Sequence, residues 1–336
     1  MYTNIYFFCK QNNYIHLKSI HLSGNKKTTK HKQIPMPDQP NPTIPLLKAR
    51  LLLDSRSALG EGAIWNHEDQ KLYWVDIDRG SLHWFDPISL HHETAFVGQK
   101  ISTVVPTTNG NLLLALKDGV YTYQKTTSQL NLIAPNPENN ISGNRFNDGK
   151  CDPSGRLWLG TMGKPQSAAL YRVDPDHSIQ IMQTSVTTSN GIAWSADKKK
   201  MYYIDTSTQK VVAYVYDDKT GQISAPCDSI VIPVSMGTPD GCTMDSEGMI
   251  WIALWGGYSA GRWNPQTGEL LCKVEIPAKN VTSCAFGGAE LDTLYLTTAR
   301  ASVPEAELKQ YPYSGGVFVV NPGVKGIKAN HFAEQK

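Results

Sequence analysis

The sequence predicts an all-β fold, a six-bladed β-propeller. Two observations predict it: a strand-like segment returns about every 45 residues, and four oxygen-bearing side chains occupy the same position in that repeat. A steady period in the forties with strand-like content is typical of propeller blades, each of which is a four-stranded sheet. Helical repeats would need an apolar period near 3.6 residues, and none is sustained here.

Six segments carry the repeat, and each is a turn-like polar or glycine-bearing stretch followed by an apolar run. They are HEDQKLYWVDI, TTNGNLLLALKDGVY, DPSGRLWLGTM, SADKKKMYYIDT, DSEGMIWIALWGG and AELDTLYLTTA. Their first apolar residues are Leu72, Leu112, Leu157, Met201, Ile250 and Leu294, with gaps of 40, 45, 44, 49 and 44 residues. Such runs, rich in Val, Ile, Leu, Tyr and Trp, are expected to form strands. We expect the last blade to take a strand from each end of the chain, which closes the ring and hides its edges.

The chain is predicted to divide into an N-terminal extension, residues 1–44, and a single propeller domain, residues 45–336. The first 35 residues contain six lysines, no acidic residue and no copy of the repeat. They lack the apolar core and the small-residue cleavage site of a secretory signal. We interpret the extension as disordered, or as upstream sequence with Met36 as the alternative start, rather than as a functional basic tail.

Charge and cysteine content exclude several classes of protein. The net charge is +2, and without the six N-terminal lysines the remainder carries −4, so no basic face for nucleic acid is expected. No apolar run approaches the roughly 20 residues that span a bilayer. The six cysteines form no CxxC pair and no zinc-like spacing, which together with the lack of an export signal favours reduced thiols in a cytoplasmic protein. The expected oligomeric state is a monomer or weak homodimer. Cys151, Cys242 and Cys284 are expected in the core.

Glu61, Asn147, Asn190 and Asp240 each lie ten or eleven residues before the marker of their repeat. The innermost strands of a propeller begin at one mouth of the central channel, so these side chains should form a ring there. The other two repeats carry Ser102–Thr103 and Ser283 at about this position. Asn-Gly and Asp-Gly also mark ordinary turns, which is the alternative reading of each one alone.

Two carboxylates and two carboxamides that converge would repel one another or stay unpaired, which costs several kcal/mol when they are buried. A hard divalent cation resolves this conflict, since oxygen ligands favour Ca²⁺, Mg²⁺ or Mn²⁺. We therefore expect a metal site at one mouth of the channel, holding one divalent cation. Ca²⁺ is favoured, and Mg²⁺, Mn²⁺, Zn²⁺ or Fe²⁺ stay open.

Five segments carry a family resemblance over about residues 50–325: LGEGAIW, NRFNDGKCDPSGRLWLGTM, SNGIAWSADKKKMYYIDT, PDGCTMDSEGMIWIALWGG and VTSCAFGGAELDTLYLTTAR. They resemble the SMP-30/gluconolactonase/luciferin-regenerating-enzyme (regucalcin-like) family, in its bacterial sugar-lactonase form. The resemblance implies a metal-bearing propeller and a carboxylic-ester hydrolase acting on a sugar lactone. Carried over by motif, Glu61, Asn190 and Asp240 would bind the metal, and Arg145 and Asn147 would contact the substrate.

The expected reaction is metal-assisted hydrolysis of a lactone such as glucono-, xylono-, arabinono- or galactono-lactone. Asp240 would be the catalytic general base toward water, and Arg145 would orient the sugar. The alternative role for Arg145 is a structural ion pair with Asp148. Relatives resembling the animal protein have a longer acidic stretch after the GTM motif. Here GTMGKPQSAALYRV has no acid before Asp174, so that side of the pocket should differ.

Two other functions stay open: a calcium-binding or ligand-binding propeller without turnover, and a phosphotriester hydrolase. The sequence contains no GxSxG motif, so a serine hydrolase is not predicted. The histidines of the domain are out of phase with the ring, which predicts surface loops for them: His67, His83, His91, His92, His177 and His331.

Overall fold

The computed structural model describes residues 5–11, 14–23, 26–35 and 44–334. The chain separates into two compact units, Met1–Ile44 and Pro45–Lys336. In the first unit, β1 (Ile5–Gln11), β2 (Tyr14–Ser23) and β3 (Lys26–Pro35) form an antiparallel sheet in that order. Met36 lies outside the described residues, and the interpretation of this unit as an extension stays a prediction.

The second unit is an all-β ring of six sheets, which confirms the predicted six-bladed propeller. Two short N-terminal strands come first, β4 (Leu46–Lys48) and β5 (Arg50–Leu53). Blade 1 comprises β6 (Gly60–Asn66), β7 (Lys71–Asp76), β8 (Ser81–Asp86) and β9 (His91–Phe96). Blade 2 comprises β10 (Ile101–Pro106), β11 (Leu112–Leu116), β12 (Gly119–Gln124) and β13 (Gln129–Pro135). Blade 3 comprises β14 (Arg145–Cys151), β15 (Leu157–Met162), β16 (Ala168–Val173) and β17 (Ile179–Val186).

The remaining blades complete the ring. Blade 4 comprises β18 (Ser189–Trp194), β19 (Lys200–Asp205), β20 (Lys210–Asp217) and β21 (Gln222–Val231). Blade 5 comprises β22 (Thr238–Met244), β23 (Ile250–Trp255), β24 (Ser259–Trp263) and β25 (Leu270–Glu275). Blade 6 contains β26 (Asn280–Gly287), β27 (Thr293–Ala299) and β28 (Val317–Val320). Within residues 44–334 the helical segments are two 3₁₀ turns, Thr206–Thr208 and Val234–Met236, and α1 (Glu305–Gln310).

Both ends of the second unit contribute to ring closure, as the sequence predicts. Strand β5 pairs antiparallel with β28 and becomes the fourth strand of blade 6. Strand β4 adds in parallel to the outer edge of blade 5 through β25. The hydrogen-bonding edge that blade 6 would otherwise expose is therefore covered by the N-terminal end of the domain.

The turn that joins the first two strands of a blade is fixed by an aspartate in blades 3 and 5. Asp152 Oδ1 accepts from the backbone of Ser154 and Arg156, while its Oδ2 accepts from Trp158 Nε1 at 2.9 Å. Asp245 makes the same bond to Trp251 Nε1, also at 2.9 Å. The short carboxylate closes the turn locally and fixes the indole in the core. This explains why DPSGRLW and DSEGMIW read alike.

The core lies between neighbouring blades, and the second strands contribute many of its residues beside those of the first and third strands. Trp158 and Trp251 occupy equivalent places on β15 and β23, Trp74 lies on β7, and all three are fully buried. Cys151, Cys242 and Cys284 are buried free thiols, as expected, and burial raises the pKa of each. No helix among the described residues is long and apolar enough to cross a membrane.

The C-terminal segment, residues 321–334, covers the end of the channel where the innermost strands finish, here called the far mouth. Backbone bonds tie it to blades 6, 5, 3 and 2 in turn, and Phe332 is fully buried at its end. An apolar cavity of about 250 Å³ lies beneath it, lined by residues such as Trp65, Trp194 and Phe286. The opposite end, where the innermost strands begin, is the site mouth.

Candidate metal centre and substrate pocket

Every innermost strand has a register shift against its neighbour within its first residues at the site mouth. In blades 1, 3, 4 and 5 the shifts fall at Glu61–Ile64, Phe146–Gly149, Asn190–Ile192 and Pro239–Cys242. A β-bulge bends its strand and re-aims the side chains beside it. The four residues in phase thus lie at bulges, and all four are nearly buried, from 4% exposed for Asp240 to 8% for Glu61.

Two glycines show why these strands can approach so closely. Gly62 follows Glu61 with φ of +62°, a conformation that a residue with a side chain rarely adopts. Gly191 follows Asn190, and a Cβ there would lie 2.8 Å from the backbone oxygen of Asp240 in the next blade. The glycines therefore allow the bulged strands of neighbouring blades to carry their polar side chains to one place.

A chain of hydrogen bonds links the substrate side of the site to the amides. Arg145 Nη1 donates to Asn147 Oδ1 at 2.7 Å, and Asn147 Nδ2 donates to Asn190 Oδ1 at 2.8 Å. Asn190 Nδ2 donates to Thr206 Oγ1 at 2.7 Å, which donates to Pro239 O at 2.8 Å. Because each amide nitrogen donates to an acceptor, both amides are fixed in orientation, with the Asn147 oxygen toward Arg145 and the Asn190 oxygen toward Asn147.

The carboxylates of the cluster are close enough to disfavour one another's charge. Burial, then the charge of Asp148, raises the pKa of Glu61 to about 8. Burial, then Glu61 and Asp148, raises the pKa of Asp240 well above its usual range. Burial likewise raises the pKa of Asp148. Three carboxyl groups therefore share a site with too little positive charge around them.

One oxygen of this cluster has no partner. Asp240 Oδ1 is fully buried and accepts no hydrogen bond, while Glu61 Oε2 accepts only from the backbone of Gly62, at 3.1 Å. A buried acceptor left unpaired costs about 1–3 kcal/mol. A hard cation would satisfy these oxygens, so the donor set of Glu61, Asn190 and Asp240 fits the predicted ion. Among residues 44–334 no three His, Cys, Asp or Glu side chains alone are grouped closely enough to hold one, so the amides would have to contribute.

Arg145 lies at the mouth without a carboxylate partner within 4.0 Å among the described residues. Its Nη1 bonds to Asn147 Oδ1 and to Phe146 O, so the structural ion pair with Asp148 that the sequence left open is not formed. Burial lowers the pKa of Arg145, and the charges of Glu61, Asp78 and Asp240 act in the opposite direction. A guanidinium with free donors beside the acidic cluster is suited to bind hydroxyl or carbonyl oxygens.

The polar residues of the other two repeats join the blades. Ser102 Oγ donates to Phe146 O at 2.6 Å and Thr103 Oγ1 donates to Asn147 O at 2.8 Å, which ties blade 2 to blade 3. Ser283 Oγ accepts from the backbone of Ala63 at 2.7 Å, which ties blade 6 to blade 1. These hydroxyls position the strands that bear Asn147 and Glu61.

Asp148 is the member of the cluster that the repeat position did not select. The position in the repeat selects one residue per blade, whereas the bulge in blade 3 spans both Asn147 and Asp148. The signal was present as an acidic side chain directly after Asn147 in NRFNDG. It could be recognised only once the bulge was known.

The prediction that all histidines lie in surface loops is wrong for blade 1. His83 lies on β8 and is only 7% exposed, and His92 lies on β9 rather than in a connection. Their rings stack on Trp74, and His83 Nδ1 lies 3.1 Å from His92 Nε2. Strand alternation places both imidazoles on one face of the blade, where an aromatic neighbour covers them.

Comparison with known proteins agrees with this fold. A family model described as the SMP-30/Gluconolactonase/LRE-like region matches residues 59–300. The chain therefore belongs to the SMP-30/gluconolactonase/LRE-like family.

Three relatives illustrate the range of the family. The Bacillus subtilis protein YvrE, named provisionally as a sugar lactone lactonase, is 39% identical over 290 residues, covering 85% of this chain and 99% of its own. The pentonolactonase XacC of Haloferax volcanii is 35% identical over 253 residues, covering 74% and 84%. The solved structure of a calcium-binding protein, regucalcin, from Agrobacterium tumefaciens is 27% identical, with a TM-score of 0.82 over 86% of this chain and 99% of that one.

Proposed function

We propose that this protein hydrolyses a sugar lactone, an aldonolactone such as glucono-, xylono-, arabinono- or galactono-lactone, to the sugar acid. The observation that carries the proposal is the hydrogen-bonded chain from Arg145 through Asn147 to Asn190, set beside the unpartnered carboxylate oxygen of Asp240. Relatives named as a sugar lactonase and a pentonolactonase support this reaction class.

The divalent cation of this proposal would be held by Glu61, Asn190 and Asp240, with Asn147 close by. Ca²⁺ is the first candidate, supported by the calcium-binding relative. Mg²⁺, Mn²⁺, Zn²⁺ and Fe²⁺ can also be bound by oxygen ligands of this kind. When bound, such a cation polarises a carbonyl oxygen and stabilises negative charge that develops on it. Without that charge, burial first and then the neighbouring carboxylates raise the pKa values of Glu61 and Asp240.

The protein's own groups would bind the lactone and move its protons. Arg145 and Asn147 would hold the sugar hydroxyls and orient the ring, since both lie at the mouth with donors and acceptors available. Asp240 would act as the general base and take a proton from the attacking water. The water oxygen bonds to the acyl carbon, the ring C–O bond breaks, and the ring oxygen leaves with a proton as the sugar-acid hydroxyl.

A calcium-binding protein without turnover is the second candidate, favoured by the calcium-binding relative. The hydrogen-bonded pair of Arg145 and Asn147 argues for the enzyme, because the bond between them contributes no cation ligand. The cytoplasmic location and the monomer or weak homodimer stay predictions.

The test is acid release from a panel of aldonolactones, measured by pH indicator with and without chelator, beside a phosphotriester. We expect release from at least one lactone, its loss on chelation and its return when Ca²⁺, Mg²⁺, Mn²⁺ or Zn²⁺ is added. Calcium binding by calorimetry without acid release from any lactone would favour the second candidate. Turnover of the phosphotriester alone would assign the site to phosphotriester hydrolysis.

A further inference from the structure

Glu138 is a buried carboxylate that the proposed reaction does not use. It lies in the turn between β13 and β14 and is 3% exposed. Among residues 44–334 it forms no salt bridge, so no lysine, arginine or histidine nitrogen compensates its charge. Burying an uncompensated carboxylate is costly, so the chain must gain something from keeping it there.

Neutral donors surround both oxygens of Glu138. Oε1 accepts from Thr161 Oγ1 at 3.0 Å and from Tyr171 OH at 2.9 Å. Oε2 accepts from Asn144 Nδ2 at 2.8 Å. The bond to Glu138 contributes, after burial, to raising the pKa of Tyr171, which keeps this phenol a donor. The carboxylate is thus a three-way junction between β15, β16 and the residue that precedes β14.

This junction borders the substrate side of the site. Asn144 directly precedes Arg145, and Arg145 pairs in register with Met162 of the GTM motif. Asn144 also bonds to Ser167: its Nδ2 donates to Ser167 O at 2.9 Å, and its Oδ1 accepts from Ser167 Oγ at 3.1 Å. The short loop after the GTM motif, residues 163–167, is therefore attached to the beginning of the Arg145 strand through one amide side chain.

That loop is also where the sequence departs from relatives resembling the animal protein. It contains Lys164 and no acidic residue, and Glu138, the buried acid next to it, faces away into the junction with its oxygens occupied. The loop and the Arg145 strand are consequently shaped by Glu138 from behind, without a carboxylate that faces the substrate.

We infer that Glu138 is a positioning residue for lactone binding: through Asn144 it fixes the beginning of β14, and with it the guanidinium of Arg145 and the loop 163–167. This inference rests on the proposed function for its kinetic readout. Glu138 touches no reacting atom. Its effect reaches the substrate only through Asn144 and Arg145.

Glu138→Gln tests the inference because it disturbs one bond of the junction selectively. If the new amide oxygen keeps facing Thr161 and Tyr171, its nitrogen must face Asn144 Nδ2, and two donors then oppose each other. Asn144 cannot relieve this by turning its amide, since both of its ends are engaged by Ser167. Lactone KM is expected to rise about tenfold with kcat within about twofold, because ground-state binding is what the displaced arginine loses.

Two further variants separate positioning from general stability. Asp152→Asn removes a buried carboxylate at the opposite end of the same strand, so it should lower the melting temperature and leave KM unchanged. Asn144→Ala should raise KM as Glu138→Gln does, and the double variant should be no worse than either single one. If Glu138→Gln does not fold, Tyr171→Phe, which removes one donor and leaves the carboxylate, takes its place with a smaller rise in KM.

Hydrogen exchange separates this inference from the proposed function. Amides in residues 140–150 and 160–170 should exchange faster in Glu138→Gln, with blades 1 and 5 unchanged, whether or not any lactone is hydrolysed. Unchanged exchange in these two segments, or effects of Glu138→Gln and Asn144→Ala on KM that simply add, would overturn the positioning role. Failure of the wild-type protein to hydrolyse any lactone would overturn the proposed function alone.

Discussion

The buried oxygen Asp240 Oδ1 has no hydrogen-bond partner, which lowers the stability of the fold at this site. Three carboxyl groups are buried near one arginine, and the pKa values of Glu61 and Asp240 are raised first by burial and then by the charges of neighbouring carboxylates. Such a cluster is unfavourable for the metal-free protein. It is the arrangement expected where a ligand provides the missing charge.

Asp240→Asn should therefore separate activity from stability. We expect kcat/KM for the lactone to fall by about 10²- to 10⁴-fold, the range of a lost general base. The metal-free variant should melt no lower than the wild type, since one like charge has left the cluster. Asp245→Asn, a buried aspartate just beyond the other end of the same strand, should behave in the opposite way and lose stability with little loss of kcat/KM. Full metal-dependent activity in Asp240→Asn would remove Asp240 from the proposed mechanism.

The buried histidine of blade 1 predicts a pH dependence of stability away from the site. Burial, then the charges of His92 and Arg79, lowers the pKa of His83 from 6.5 to about 4. Since the folded pKa lies below the unfolded one, the stabilisation is present above pH 6.5 and is lost as the pH falls toward 4. Its size is about 3 kcal/mol. Chemical denaturation between pH 7 and 4 should show that the free energy of unfolding falls less steeply with pH in His83→Gln than in the wild type. The exposed His177→Gln should keep the wild-type slope.

At the scale of elements, the regular parts of each blade could be predicted and the bulges could not. The apolar runs after the markers and turns such as DPSG are local in the sequence, so their strands follow from composition and period. A bulge is defined by two residues on one strand facing one on its partner, which needs the pairing itself. For that reason the repeat position found Asn147 but not Asp148, and gave Ser102 and Ser283 no role in joining blades.

Ring closure by β5 gives a prediction about where the domain begins. A chain that starts at residue 44 should melt like the full-length protein. A chain that starts at residue 50 lacks only β4, an added edge strand, so its free energy of unfolding should fall only slightly. A chain that starts at residue 55 also loses the partly buried Leu51, Leu52 and Leu53 and exposes the edge of β28, which should cost about 4 kcal/mol or more. Equal denaturation midpoints for the last two chains would show that β5 does not close the ring.

At the scale of the whole molecule, the six-fold arrangement and its closure were predictable because the period of the repeat is a property of the entire chain. The cover over the far mouth was not. Residues 321–334 contain no repeat and hardly any regular structure, yet Phe332 is fully buried and the segment bonds to four blades. Such contacts depend on the finished ring, since a segment of this kind has no partner until distant blades are in place.

The bulges have a consequence for how such a protein can change over evolutionary time. Each one lies in a separate blade and re-aims side chains at the mouth without altering the alternation that fills the core further along the strand. A substitution at one of these positions alters the mouth and leaves the alternation that fills the core as it was. The ring can therefore acquire a new specificity in single steps while the period of its repeat is kept.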